Sequence, residues 1–327
     1  MNRFFTIALS ASLLFGFAAG QSGATPPPRP TSLPRYAHVV IVIEENKYYS
    51  DIIGSRDAPY LNKVLLRQGA DLTRMFSEEH DSEGNYFWIF SGSNQHVGYR
   101  DVIPTRRNNP DYPFTDANLG EELIRAGYTF KGYAESLPSI GDRVGRAQAY
   151  ARKHVPWISF ANIPNGKTEA TSVNLPFRKF PKHFSRLPTV SIVIPNLYDD
   201  MHSGVPWRRV KQGDNWLKRN IGPYYQWART HDSLLIVTWD ENEDRSGFHG
   251  LTDPASSNRS IRNRIPTVIA GAHIRHGNYS EGRGVTQVNV LRTVEAIYGL
   301  PKAGRQQKYA RHYGITNDYV IRDIFAN

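Results

Sequence analysis

Four short runs of branched apolar residues punctuate the chain, and each closes on polar or turn residues. They are HVVIVIEEN (38–46), TVSIVIPN (189–196), SLLIVTWDEN (233–242) and IPTVIAGAH (265–273). Val and Ile in succession, without polar alternation, form the pattern of a strand covered on both faces. Between these runs lie segments whose apolar residues recur three and four apart. APYLNKVLLRQGA (58–70) and DANLGEELIRAGY (116–128) close on Gly69 and Gly127, good stops for a helix. DNWLKRNIGPYYQWARTH (214–231) opens on Asp214 as a capping residue, and Gly222-Pro223 must kink or split it. TQVNVLRTVEAIYGL (286–300) ends at Gly299-Leu300, followed by Pro301. Strands alternating with helices predict an α/β fold, a mostly parallel central sheet with helices on both faces. Segments near 100–115 and 140–185 carry no period that places them. Neither an internal repeat nor a second linker divides the chain, so one domain from about 36 to 325 is expected.

The first residues stand outside that pattern. Met1-Asn2-Arg3 carries one positive charge, Phe4 to Ala19 is apolar, and Ala18-Ala19-Gly20 offers small residues for cleavage. That is a secretory signal peptide over residues 1–20, cut before Gln21, with an apolar run short for a membrane span. Residues 21–35 form a Pro-rich linker without periodicity. No later segment is apolar enough to cross a bilayer. The chain has no cysteine, so an exported form must be stable on its core alone and has no thiol for a lipid anchor. A periplasmic or secreted location follows.

Forty Lys and Arg against thirty Asp and Glu give a formal charge of +10. Such a balance fits nucleic acid, an anionic membrane surface or anionic small substrates. The basic residues are scattered and no nucleic-acid motif occurs, which speaks against a nucleic-acid partner.

In open α/β sheets, ligands bind beyond the carboxyl ends of the strands. Those ends carry Glu44, Glu45 and Asn46; then Asn196, Asp199, Asp200 and His202; then Asp240 and Glu241. Helix caps and solvated loops account for any one of these groups alone. Together they favour a metal site, and such oxygen ligands suit Ca²⁺, Mg²⁺ or Mn²⁺ better than a thiol-ligated zinc. EEHDSEGNYFWIFSGS (78–93) supplies a reacting group. Ser82 falls at a predicted helix N-terminus, where free N–H groups and the dipole favour anions, and Asn85 lies one turn on along the same face. A plain capping role for Asp81 or Ser82 fits the same residues. No G-x-S-x-G elbow surrounds Ser82, which argues against an α/β-hydrolase esterase. Ser91 and Ser93 mark the helix's end and a turn.

IEENKYYSDIIG, HDSEGNYFWIFSGS, IPNLYDDMHSG, GDNWLKRNI and LLIVTWDENED occur in that order. In combination they resemble the bacterial acid phosphatase and phosphoesterase family of the alkaline phosphatase superfamily. That family includes phospholipase C-type and phosphatidylinositol phosphatase-like members, and the resemblance runs from roughly 38 to 300. It implies an alkaline phosphatase-like fold, with Glu45 and Asn46 as metal ligands and Asp240-Glu241 completing the metal shell. Ser82 is implied as the nucleophile and a further metal ligand, with Asn85 holding a phosphate oxygen. His202 is implied near the phosphate and leaving group. His80 holds a position where the family tends to have histidine, and Asp200 joins Asn85, His80 and His202 on the substrate side.

The chain departs from the family's His-Pro-Ser-x-Pro-Asn, reading His-Asp-Ser-Glu-Gly-Asn, and has Asp-Asp-Met-His in place of Asn-Asp-Met-His. Loop rigidity and substrate choice are affected more than reaction class. The reading is an exported, divalent-metal-dependent phosphatase that hydrolyses phosphate monoesters through a phosphoserine. Its substrate is an anionic phosphate ester, with a phospholipid head group among the options. The competing expectations are a phospholipase C-type phosphodiesterase and a non-catalytic phosphate- or metal-binding protein.

Overall fold

The computed structural model describes residues 32–98, 101–243, 263–279, 284–308 and 310–326. The expected signal peptide and nearly all of the expected Pro-rich linker lie outside these residues. Among the described residues eight strands form the main sheet: β1 His38–Glu44, β2 Ala70–Leu72, β3 Phe130–Ala134, β4 Asn174–Pro176, β5 Val190–Ile194, β6 Ser233–Trp239, β7 Thr267–Gly271 and β8 Gly277–Tyr279. Their order is β8-β2-β7-β6-β1-β5-β3-β4. β1 pairs in parallel with both β5 and β6, and β3 with β4 and β5. β7 runs antiparallel to β6 and β2. The sheet is therefore mostly parallel with one reversed strand, and the fold is α/β.

All residues of β5 and β6 are buried, as are those of β1 after His38. Successive side chains point to opposite faces, so both faces of the central strands are covered. The main helices are α1 Ser82–Ser91, α2 Leu119–Arg125, α3 Arg209–Trp216, α4 Gly222–Ala228 and α5 Gln287–Tyr298. α1 is buried at every residue and packs against α5. It ends on Gly92 at φ 62, the left-handed position a glycine suits. One apolar cluster runs from Tyr36 to Phe325, and the Tyr36 hydroxyl donates to Ala272 O at 2.8 Å.

Asp214 departs from expectation. It lies inside α3, and its carboxylate accepts the Tyr60 and Leu61 N–H groups at 2.9 and 2.8 Å. It satisfies the start of a different helix, a π-turn Leu61–Leu65 continuing as Leu66–Gln68. A second π-turn, Leu217–Ile221, joins α3 to α4, so Pro223 begins α4 where its missing N–H costs nothing.

Candidate active site

Parallel register brings the strand ends together. His38 stands opposite Ser233 and Glu44 opposite Trp239, so the residues after β1 and β6 meet. Asp240 N donates to Glu44 O at 3.0 Å and Asn46 N to Asp240 Oδ1 at 2.9 Å. The Asn46 amide donates to Glu241 Oε1 at 2.9 Å. Asn46 has φ 40, a left-handed conformation that asparagine tolerates and a β-branched residue would not. β5 contributes the next carboxylate: Glu45 N donates to Asp200 O at 2.8 Å, and Asp200 Oδ1 accepts the His202 N–H at 2.8 Å.

Ser82 is the first residue of α1, almost fully buried. Its Oγ lies 3.3 Å from Glu45 Oε2 and 3.2 Å from Glu241 Oε1. His80 pairs through Nδ1 with Glu241 Oε2. The helix start also faces an anion, because Glu83 N donates to Asp101 Oδ1 at 3.1 Å while Lys153 pairs with the other oxygen. Asn85 is turned to its own loop: Oδ1 accepts Glu79 N at 3.0 Å, and Nδ2 donates to Glu79 O at 2.6 Å. Those partners hold the loop before Ser82 rather than leaving the amide directed at a phosphate.

The departure from the family pattern at Gly84 has a steric reason. A Cβ there would lie 1.9 Å from Glu79 Oε1, so the buried Glu79 carboxylate fills space a larger residue would need. Asn94 Nδ2 holds that carboxylate at 3.0 and 3.1 Å.

Glu45, Asp200, Asp240 and Glu241 are all buried. Burial raises each carboxyl above its ordinary range, and neighbouring carboxylates push the same way: Asp240 on Glu45, Glu241 on Asp240, and Asp101 and Asp81 on Glu241, which reaches about 8. Ionising all four together needs a compensating cation. Asp240 Oδ2, Asn46 Oδ1 and Asp200 Oδ2 are buried without a hydrogen-bond partner. Hard oxygen donors with open lone pairs fit a divalent cation. Among the described residues no three His, Asp or Glu side chains already stand grouped as a metal site, and the fit rests on the mixed carboxylate, amide and hydroxyl set.

Sequence reasoning missed His154, Lys153, Tyr86 and Asp101. His154 is buried with Nε2 3.0 Å from Glu45 Oε1, and its ring stacks on Tyr86 at 4.9 Å. Burial holds its imidazole well below the usual range, with Lys153 and His202 adding to the effect. The Tyr86 hydroxyl donates to Glu45 Oε1 at 2.7 Å. Its position four residues after Ser82, on the same helix face, was the one available signal. Burial alone would depress the Lys153 ammonium, but the charges of Glu45 and Asp101 outweigh it and hold it above the ordinary lysine range.

A cavity of about 490 Å³ opens beside this cluster, lined by Asp101, Ile103, Arg146, Lys153, Leu197 and His202 among others. Burial, then the charges of Lys153, Lys47 and Arg209, lowers the His202 imidazole to about 4. It is neutral near pH 7 and offers an N–H rather than a transferable proton.

The model of the Phosphoesterase family matches residues 55–301. The chain is 44% identical over 323 residues to a phosphatidylinositol-3-phosphatase of Mycobacterium tuberculosis, covering 98% of this chain and 92% of the relative. The chain belongs to the Phosphoesterase family. A probable acid phosphatase of Kluyveromyces lactis is 24% identical over 303 residues, 88% of this chain and 62% of that protein. This phosphoesterase is thus a phosphoric ester hydrolase. Two solved structures share its fold at low identity. A protein of the alkaline phosphatase superfamily from Vibrio parahaemolyticus matches with TM-score 0.54 and 12% identity, over 84% of this chain and 69% of its own. A lipoteichoic acid synthase from Listeria monocytogenes matches with TM-score 0.53 and 10% identity, over 87% and 76%. Both show the alkaline phosphatase-like fold alone.

Proposed function

We propose that this phosphoesterase is an exported, divalent-metal-dependent phosphomonoesterase that works through a phosphoserine on Ser82. The observation that carries the reading is Ser82 Oγ at a helix N-terminus, within 3.3 Å of two buried carboxylates from two different strand ends. Glu45, Asn46, Ser82, Asp240 and Glu241 would hold the cation. Bound there, it would lower the pKa of a hydroxyl and offset negative charge developing on the phosphoryl group.

The chain's own groups define the rest. Ser82 Oγ forms a bond to phosphorus as the ester P–O bond breaks and the alcohol departs. Glu45 Oε2 and Glu241 Oε1 are the acceptors within reach of the Ser82 proton. The N–H groups at the start of α1 and the Lys153 ammonium, which meet Asp101 in this structure, are the donors a phosphoryl group would take over. Neutral His202 on the cavity wall supplies a further N–H. Water then attacks the phosphoserine from the side the alcohol left and releases phosphate.

The mycobacterial relative's name supports a phosphorylated lipid head group among the substrates, and Arg146 and Lys153 give the cavity the charge for one. Export rests on the signal peptide, and N-terminal sequencing of the released protein is expected to begin at Gln21.

The test is turnover of p-nitrophenyl phosphate, bis-p-nitrophenyl phosphate, phosphatidylcholine and a phosphatidylinositol monophosphate by metal-stripped and metal-restored protein. Monoester cleavage that returns with Ca²⁺, Mg²⁺ or Mn²⁺ is expected. Full activity in a demonstrably metal-free sample would end the metal claim, and faster turnover of the diesters would favour the phospholipase C-type reading.

A further inference from the structure

The segment between β5 and α3 carries His202 to the cavity wall and also displays an unusual surface. Among the described residues five large apolar side chains stand exposed, and three of them, Tyr198, Val205 and Trp207, belong to this segment. Trp207 is 76% exposed, the most of any. Single exposed apolar residues are ordinary on soluble proteins, but a group beside a site mouth is not.

The three are displayed by an ordered backbone. Ser203 N donates to Leu197 O at 2.6 Å, Asp200 N to Asn196 O at 2.9 Å, and Arg208 N to Val205 O at 2.8 Å. The segment turns at Gly204, φ 96, where an added Cβ would lie 3.6 Å from the Tyr198 ring. Tyr198 therefore lies against the turn that presents Val205 and Trp207.

The exposed charges of the 198–211 segment itself are basic, while the half-buried Asp199 beside Tyr198 accepts from Asn196 Nδ2 and Gln212 Nε2, each at 3.2 Å. From Met201 to Asn220 the chain carries five Lys and Arg and one acid, Asp214. That acid is buried and spent on the Tyr60 and Leu61 N–H groups. Arg208 and Lys211 follow the exposed tryptophan in the chain and are themselves exposed. Asp51, Asp57 and Glu243 line a neighbouring cavity together with Pro206 and Arg209.

We infer that the 198–211 segment is a docking surface for an anionic lipid bilayer, seating the site mouth at the membrane–water interface. Tryptophan and tyrosine prefer that interface because one part of each ring system is apolar and another donates a hydrogen bond. Exposed Lys and Arg beside them meet anionic head groups. His202 and Ser203, on the same segment, face the cavity where a head group would enter. The inference rests on the lipid-borne substrate proposed above, and it adds the surface by which such a substrate is reached.

Vesicle sedimentation tests it with the full mature protein. The probes are phosphatidylcholine vesicles with and without phosphatidylserine, neither carrying a phosphomonoester, so binding is read apart from turnover. Wild-type protein is expected to sediment with the anionic vesicles and to be released by high salt. Trp207→Ala should lose binding on the order of tenfold or more, as expected for withdrawing one large apolar side chain from an interface. It should hydrolyse soluble p-nitrophenyl phosphate as wild type does, which also reports that it folds. Arg208→Ala with Lys211→Ala should lose both affinity and its salt dependence. Failure of wild-type protein to sediment with anionic vesicles would overturn the inference. So would unchanged binding by Trp207→Ala, which would leave the patch to a protein partner. Sedimentation without hydrolysis of a vesicle-borne phosphatidylinositol monophosphate would instead sink the lipid-substrate reading and leave the docking surface standing.

Discussion

Gly84→Ala measures how tightly the loop before Ser82 is packed. The new Cβ would lie 1.9 Å from Glu79 Oε1, and that oxygen cannot stay where it is. Glu79 is buried and held by Asn94 Nδ2 at 3.0 and 3.1 Å, so moving it breaks those bonds inside the protein. Leaving buried polar partners unmet costs about 1–3 kcal/mol. Against this, alanine in a helix is favoured over glycine by about 1 kcal/mol. The net effect is destabilisation of up to about 2 kcal/mol, combining the two terms. Urea unfolding reads it as a lower midpoint at unchanged slope. The control is the same change in a Glu79→Ala background, where the clash is gone and only the helix preference remains. There Gly84→Ala should stabilise by up to about 1 kcal/mol. A double-mutant cycle therefore reverses sign between backgrounds. Destabilisation of equal size in both would refute the claim that Glu79 occupies the space of a Gly84 side chain.

Asp101 holds donors that a substrate phosphate would use, so Asp101→Asn should lower KM for p-nitrophenyl phosphate roughly fivefold, about 1 kcal/mol for one screened like charge. A raised KM would mean Asp101 positions Lys153 instead. His154→Ala removes the ring beside Glu45 Oε1 and should weaken cation affinity about 10–100-fold, the usual loss for a group that orients a ligand, as read by metal titration. Unchanged affinity would count against that role. Burial raises the Glu78 carboxyl from 4.5 to about 8, so the folded state keeps its proton where the unfolded chain releases it. Stability should therefore fall as pH rises between those values, and Glu78→Gln should flatten the melting-temperature profile. An identical slope in both proteins would contradict the shift.

The central strands were legible because burial on both faces leaves unbroken Val and Ile runs, and the parallel pairing of β1 and β6 follows from helices between strands. β3 was not. Its middle residue is Gly132, where a Cβ would meet the Trp157 ring at 2.2 Å, so packing replaced the apolar pattern that sequence reasoning needs. β2, β4 and β8 are three residues each, too short to show a period. Asp214 has the composition of a local cap, yet its partners lie more than 150 positions away, and nothing local distinguishes the two uses. At the site, strand-end carboxylates and Ser82 could be read from position alone. His154 could not, because it reaches Glu45 from a short 3₁₀ turn, Arg152–His154, in a segment without periodicity. Asn85 shares the face of Ser82 as spacing requires, but only the structure shows its amide committed to Glu79.

The central claim is covalent catalysis by Ser82, and acid quench of the enzyme during turnover of a ³²P-labelled monoester tests it most directly. Peptide mapping of the quenched protein is expected to find phosphate on Ser82, at a level that rises with substrate and is absent from a folded Ser82→Ala variant whose turnover has fallen by several powers of ten. Hydrolysis of a chiral phosphate ester should accordingly retain configuration at phosphorus, since two in-line displacements occur. Inversion at phosphorus, or near-normal turnover by Ser82→Ala, would contradict the account and leave water as the direct attacking group.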